Sequence, residues 1–420
     1  MSDIQRFNLP KTALHWLSGS SFEPVAVEVG VTLSRAGYSS RTVSSYLSCI
    51  SHFSYWCSCE KITPNRADSS AVDRFLDEHL TVCRCAPRCR WSRIEVRAAL
   101  HRWLDVAQRL GVIQLVPPDC PANIKLELQA LDAYHDEVRG LALVTRETRL
   151  KYLHQFLWRL FGSGDVVITT LTPADITDYV VTYCKGWKPA SVKVLCGSLR
   201  SYFRFKSVHG ASTGKLISSL PKVADWTLSG LPKALSEVEV RTLLDSFDQG
   251  SLGGQRDYAI ARCYIDLGLR TAELVRLQLD DIDWRHGVLS VQGKGRRVDA
   301  LPLPQATGQA IARYLQHRPA ETKTRAVFLR LHAPLDQPAV ADTIRGSIRN
   351  AAKRCGLSAR LTGPHRFRHT LATNLVQTGA SLKDVSDLMR HRNLDTTTLY
   401  AKVDLDGLSK VVSPWPGAQS

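Results

Sequence analysis

Acidic residues are scarce in this chain: 39 Asp and Glu stand against 55 Lys and Arg, a formal charge of +16 over 420 residues. An imbalance of that size favours polyanion partners, whether DNA, RNA or an anionic membrane face. Long apolar runs are missing too. No stretch of eighteen apolar residues occurs, so no membrane-spanning helix is expected. The opening MSDIQRFNLPKTALHWLSGS lacks the basic segment and apolar core of a secretory signal, and the expected location is cytoplasmic. Neither a Walker loop nor a dinucleotide fingerprint is present, so nothing predicts ATP or NAD and no cofactor is expected. The 11 cysteines are odd in number and many lie within helix-like segments, which argues against a disulfide scaffold.

What is present reads as mainly α and multidomain. The chain is too long for one ordinary core, and 44% hydrophobic content is normal for a folded protein. Helices are predicted over 24–36, 39–56, 70–80 and 92–110. In the second of these, Val43, Tyr46, Leu47, Ile50, Phe53 and Trp56 share one face and Ser39 or Ser40 is available as cap. PPDCP at 117–121 breaks the chain. A similar pattern then returns, with helices over 145–161, 171–184 (opened by Thr172 and Pro173) and 191–210. The domains expected are an additional N-terminal helical domain at 1–120, a second helical domain at 121–215, a linker at 216–234, a mixed α/β domain at 235–405 and a tail at 406–420. The mixed domain opens on Ser236 with Glu239 at the capping-box position. It carries a small antiparallel sheet, with strands over 287–294 and 296–303 around a Gly-Lys-Gly turn.

Five short stretches of the last domain carry the chemistry: LGLRTAEL at 267–274, GKG at 293–295, HRFRHT at 365–370, RHRN at 390–393 and TTTLY at 396–400. Singly each is weak, since an Arg after a helix or a Lys in a turn usually faces water. In this order they resemble the tyrosine recombinase (phage integrase) family over about 233–405. The resemblance implies six catalytic residues: Arg270, Lys294, His365, Arg368, His391 and Tyr400. One departure stands out. The family commonly has Leu-Gly-His before the late histidine, where this chain has Met389-Arg390-His391. Glycine at such a place serves close approach or positive φ, so Arg390 is expected to shift the loop or to add a cation.

The implied roles make physical sense. Two guanidiniums, Arg270 and Arg368, would clamp phosphate oxygens on which charge grows during attack. His391 would donate to a non-bridging oxygen. A tyrosine hydroxyl has a pKa near 10 and needs help to ionise, so His365 would take the proton of Tyr400. Lys294 would protonate the leaving 5′ oxygen. The product would be a 3′-phosphotyrosyl link and a free 5′-hydroxyl, needing neither ATP nor metal. Glu273 alone cannot hold the two ions of a two-metal nuclease and reads as structural, orienting a neighbouring cation.

The expected partner is double-stranded DNA, gripped by the 121–215 domain and the catalytic domain together. Arg146, Arg149, Lys151, Lys188, Lys193, Arg200, Arg204 and Lys206 are the candidate phosphate contacts. Four cuts on two duplexes imply a homo-tetramer on DNA, compatible with a monomer when free. The extra N-terminal domain leans the reading toward the integrase of a mobile element. The alternatives are a type IB topoisomerase or telomere-resolvase-like enzyme, and a non-catalytic DNA-binding protein derived from the fold. Separately, Cys57, Cys59, Cys83, Cys85 and Cys89, with His79 nearby, are zinc candidates. Their C-x-C spacing is tighter than the usual structural C-x₂-C, which favours unpaired, partly buried thiols.

Overall fold

The computed structural model describes residues 3–85, 92–113, 121–223, 234–293, 298–361 and 363–390. These residues are dominated by helices, with one three-stranded sheet, and they bury three separate apolar cores. By contact they form two compact units. One joins the N-terminal helices to the last domain, and the other is the helical module between them. No helix among the described residues is long and apolar enough to cross a membrane.

The N-terminal module is built on helices Glu23–Arg35, Ser40–Cys59 and Arg93–Arg109, with a broken helix over Ser69–Val82. Local chemistry sets their starts. Ser39 accepts from the Thr42 amide, Asp68 from that of Ala71, and Ser92 forms a reciprocal capping box with Glu95. Val43, Leu47, Ile50, Phe53 and Trp56 are buried as the helical spacing requires, and they meet Phe22, Phe75 and Trp103 in one core. The broken helix contains a π turn at Phe75–His79, where the Leu80 amide donates to the Phe75 carbonyl. Within this unit, the Leu335 amide of the last domain donates to the Ala36 carbonyl at 3.0 Å. Gly37, at φ +81°, leaves room for the Leu335 side chain where a Cβ would lie 2.7 Å from it.

The central module has helices Ala122–Ala133, Leu143–Phe161, Pro173–Tyr183 and Pro189–Val208. Thr172 and Asp175 form its clearest capping box, with Pro173 at the first helical position. The long-helix order matches the N-terminal module, as the repeat in the sequence predicts. Two features differ from expectation. The Ala122–Ala133 helix begins directly after Pro121, in a segment for which the sequence predicts no helix. A further helix, Gly214–Ser219, sends Leu216 into this core beside Leu220. Residues 216–220, expected as linker, are therefore core of this module. Arg200 closes the corner by donating to the carbonyls of Leu220 and Pro221.

In the last domain, strands β1 (Ile282–Asp283), β2 (Val288–Gln292) and β3 (Val298–Pro302) form an antiparallel meander, with Gln292 opposite Val298. The expected hairpin is present and β1 is an addition. Helices Glu237–Asp245, Leu252–Leu267, Thr271–Arg276, Gln305–His317, Ala341–Arg354, His365–Gln377 and Leu382–Leu388 surround a core containing Tyr264, Tyr314, Phe328 and Phe367. The Ser236–Glu239 capping box forms as predicted. Thr370 accepts from the Leu235 amide, which ties the entry of the domain to the helix carrying HRFRHT.

Candidate active site

The site is organised by a glycine. The Leu252–Leu267 helix ends at Gly268, in the left-handed region at φ +56°. This turn reverses the chain so that Arg270 caps the next helix, Thr271–Arg276. The carbonyl of Gly268 accepts a 2.6 Å hydrogen bond from Arg368 Nη1. A Cβ at Gly268 would sit 3.1 Å from Met389 Cε and 3.2 Å from Leu371 Cδ2. One residue thus sets the turn before Arg270, anchors Arg368 and admits the segment that carries Arg390.

Glu273 is the second organiser, and it is buried. One carboxylate oxygen accepts from Arg270 Nη1 at 2.7 Å. The other accepts from the Arg270 amide at 2.8 Å and from Arg390 Nη2 at 2.9 Å. Arg270 Nη2 in turn donates to the Arg390 carbonyl at 3.2 Å. Burial opposes charge on Glu273, but the Arg390 guanidinium, followed by the Arg270 amide and guanidinium, outweighs it and holds the carboxyl below its ordinary range. The expectation that Glu273 orients a cation therefore holds for two cations.

Arg390 is where this chain departs from the family pattern, and the structure gives the reason glycine suits the place. Its φ is +52°, the left-handed region that side chains rarely adopt. Its side chain is only 5% exposed, paired with Glu273 and donating to the Leu388 carbonyl. The extra cation is thus folded inward onto the carboxylate that also grips Arg270. Arg270 keeps 41% of its side-chain surface open, so a face remains for an anionic ligand.

On the His365–Gln377 helix, His365, Arg368 and His369 lie at i, i+3 and i+4 and share a face, while Phe367 turns into the core against Tyr264. The His365 and His369 rings meet edge to face with centroids 4.6 Å apart. His365 remains solvent-accessible. The protein mass around it, then the charges of Arg368 and Arg270, push its pKa below the ordinary imidazole value of 6.5. Burial, then His365, Arg366 and Arg368, push His369 down to about 4. A lowered pKa means a neutral ring at pH 7, able to accept a proton. Single-turnover DNA cleavage should therefore hold its rate as pH falls from 8 through 6.5 and drop only below that. An acid limb above 6.5 in a rate–pH profile would remove His365 as the base.

Of the six predicted catalytic residues, the structure brings together Arg270, His365 and Arg368. Lys294, His391 and Tyr400 lie outside the described residues. The candidate phosphate contacts divide. Arg146 is held by Asp132 at 2.8 Å and by Asp136, Lys206 by Glu127 at 2.8 Å, and Arg149 by Ser201 at 2.9 Å. With Arg200 on two carbonyls, these four already serve the module's own structure. Lys151, Lys188, Lys193 and Arg204 are exposed. Among the zinc candidates, Cys57 is core and Cys59 is exposed, whereas Cys83 and Cys85 meet His79 and His52. Cys89 lies outside the described residues. Sequence reasoning missed His52 because a histidine on an apolar helix face reads as packing. The one signal for it was a titratable group between Ile50 and Phe53.

Comparison with known proteins agrees with this geometry. The phage integrase family model matches residues 233–406. The Sinorhizobium fredii integrase/recombinase y4rA is 37% identical over 292 residues, 69% of this chain and 71% of that protein. Tyrosine recombinase XerD of Listeria monocytogenes is 30% identical over 274 residues, 63% of this chain and 90% of that one. The fold is also that of the XerH site-specific recombinase, crystallised on its palindromic difH substrate. The TM-score is 0.54 at 19% identity, covering 69% of this chain and 84% of that structure. With the Gly268 turn, the paired arginines and the low-pKa histidine in place, the chain belongs to the phage integrase family of tyrosine recombinases.

Proposed function

We propose that this enzyme cuts and rejoins duplex DNA at specific sites through a 3′-phosphotyrosyl intermediate. The observation that carries the reading is the convergence of Arg270 and Arg368 on one glycine turn beside a neutral His365. Such an arrangement suits a phosphodiester whose oxygens gain charge during attack, because the cations are fixed before the reaction begins. In the proposed step the Tyr400 oxygen bonds to phosphorus and its proton passes to His365. The bond to the 5′ oxygen breaks, and Lys294 supplies that oxygen's proton. His391 donates to a non-bridging oxygen. A 5′-hydroxyl from a second strand reverses the step and completes exchange. Four cuts on two duplexes call for four protomers, each contributing one Tyr400.

The roles separate by experiment. On a substrate with a 5′-bridging phosphorothiolate, the sulfur leaves without needing protonation. Lys294→Ala should cleave normal DNA slowly and recover most of its rate on that substrate, whereas Arg270→Ala should not recover. Equal recovery of both variants, or of neither, rejects Lys294 as the acid. Products joined between two duplexes distinguish exchange from relaxation of one.

A further inference from the structure

We propose that His52, His79, Cys83 and Cys85 form a two-cysteine, two-histidine site for one Zn²⁺ in the N-terminal module. The four side chains come from three places. His52 projects from the middle of the Ser40–Cys59 helix, His79 ends the π turn at Phe75–His79, and the cysteines come just after the last helical turn, which stops at Val82. Their ligand atoms all lie within 4.8 Å of one another. His52 Nε2 is 3.3 Å from His79 Nε2 and 3.4 Å from Cys83 Sγ, and Cys85 Sγ is 3.6 Å from His79 Nε2. A tetrahedral zinc with ordinary Zn–N and Zn–S bonds needs edges of about 3.3 Å between nitrogens and about 3.6 Å between nitrogen and sulfur. The three measured edges agree with these.

Hydrogen bonding alone does not account for the cluster. A ring nitrogen offers one in-plane direction, either an N–H or a lone pair. Each Nε2 here faces two partners, the other Nε2 and a thiol, so each can satisfy only one. If both thiols donate, two lone pairs face each other at 3.3 Å. If one ring donates to the other, both thiols lose their acceptor. A cation at the centre takes all four lone pairs at once, and binding releases the two thiol protons to solvent.

The surroundings are those of a built site. His52 is 2% exposed and Cys83 7%, with the Trp16 ring stacked on His52 at 5.7 Å and Phe75 edge-on at 5.1 Å. The Cys85 amide donates to Cys83 Sγ at 3.4 Å, a contact that favours thiolate. His52 Nδ1 has no hydrogen-bond partner among the described residues, so this ring is oriented by packing rather than by an outer carboxylate. The π turn adds one residue to the helix and rotates the segment after it, with both cysteines, by about 100° relative to an unbroken helix. Four protein ligands leave no open position, so the metal is structural. It closes the chain between residues 52 and 85 on the aromatic core of the module.

The test uses the full chain, purified without chelator. Metal analysis should find about one equivalent of zinc, falling below about one fifth in Cys85→Ser and His79→Ala. The exposed Cys59→Ser should keep the full equivalent. Cobalt(II) added to metal-free protein should give the intense visible bands of a tetrahedral site and a thiolate-to-metal band that weakens in Cys85→Ser. A chelator should lower the thermal midpoint of the wild type and leave that of Cys85→Ser unmoved. Wild-type protein with neither zinc nor a tetrahedral cobalt spectrum overturns the proposal, as does loss of metal in Cys59→Ser with retention in Cys85→Ser. If a ligand variant does not fold, the wild-type stoichiometry and cobalt spectrum decide alone.

Discussion

Tyr400→Phe should bind its DNA site as tightly as the wild type and form no covalent adduct with it. The substitution removes one oxygen and leaves the aromatic body, so packing and electrostatic attraction to the duplex are kept. What is lost is the only atom proposed to bond to phosphorus. A phenol at neutral pH is a poor nucleophile, and the proposed fields of Arg270 and Arg368 act by favouring its phenolate. No neighbouring hydroxyl inherits that alignment, so cleavage should fall by at least about 1000-fold, the scale of losing a covalent nucleophile. The measurement is a gel-shift titration paired with a denaturing gel of the same samples. A denaturant-stable protein–DNA band from Tyr400→Phe would falsify the assignment.

The second large effect is expected at Glu273. Its carboxylate is 4% exposed and neutralises Arg390, which is 5% exposed. Glu273→Gln leaves a buried guanidinium without its counter-charge, a situation that costs about 3–5 kcal/mol. It also releases Arg270 from the oxygen that orients it, so cleavage should fall along with stability. Arg390→Gly should behave differently. It removes the buried cation together with the left-handed strain at φ +52°, and Glu273 still keeps Arg270. The two changes therefore couple: Glu273→Gln should destabilise much less in the Arg390→Gly background than alone. Additive denaturation free energies in that cycle would show that the pair is not energetically linked. The acid dependence has a definite sign. Because the folded pKa of Glu273 is depressed, its contribution is fully present above the ordinary carboxyl range, and it is lost as pH falls through the lowered folded value.

Much of this site is legible in the sequence. The helix starts at Ser39, Thr172 and Ser236 come from caps, which are local. The sharing of one face by His365, Arg368 and His369 comes from helical spacing. Long-range pairing is what the sequence hides. Arg146, Arg149, Arg200 and Lys206 look like free cations in sequence, yet each finds an acceptor in its own module, and Lys206 and Glu127 lie 79 residues apart. Sequence likewise points to the right cysteine pair, Cys83 and Cys85. It joins them to Cys57 and Cys59 by proximity along the chain, when helix geometry turns Cys57 into the core and brings His52 across instead. Arg390 lies between these cases. Its unusual backbone is predictable from a missing glycine, but its inward turn onto Glu273 depends on a partner 117 residues away.

The packing at Gly268 has a practical consequence for spectroscopy. The chain contains two methionines, Met1 and Met389, and the second is fully buried with its methyl group against the glycine turn. A sample labelled at methionine methyls therefore carries a single internal signal, placed by the fold between the turn that precedes Arg270 and the segment that ends in Arg390. Its shift and linewidth report whether that junction is closed in the free protein and what DNA does to it, with no probe added and no residue changed.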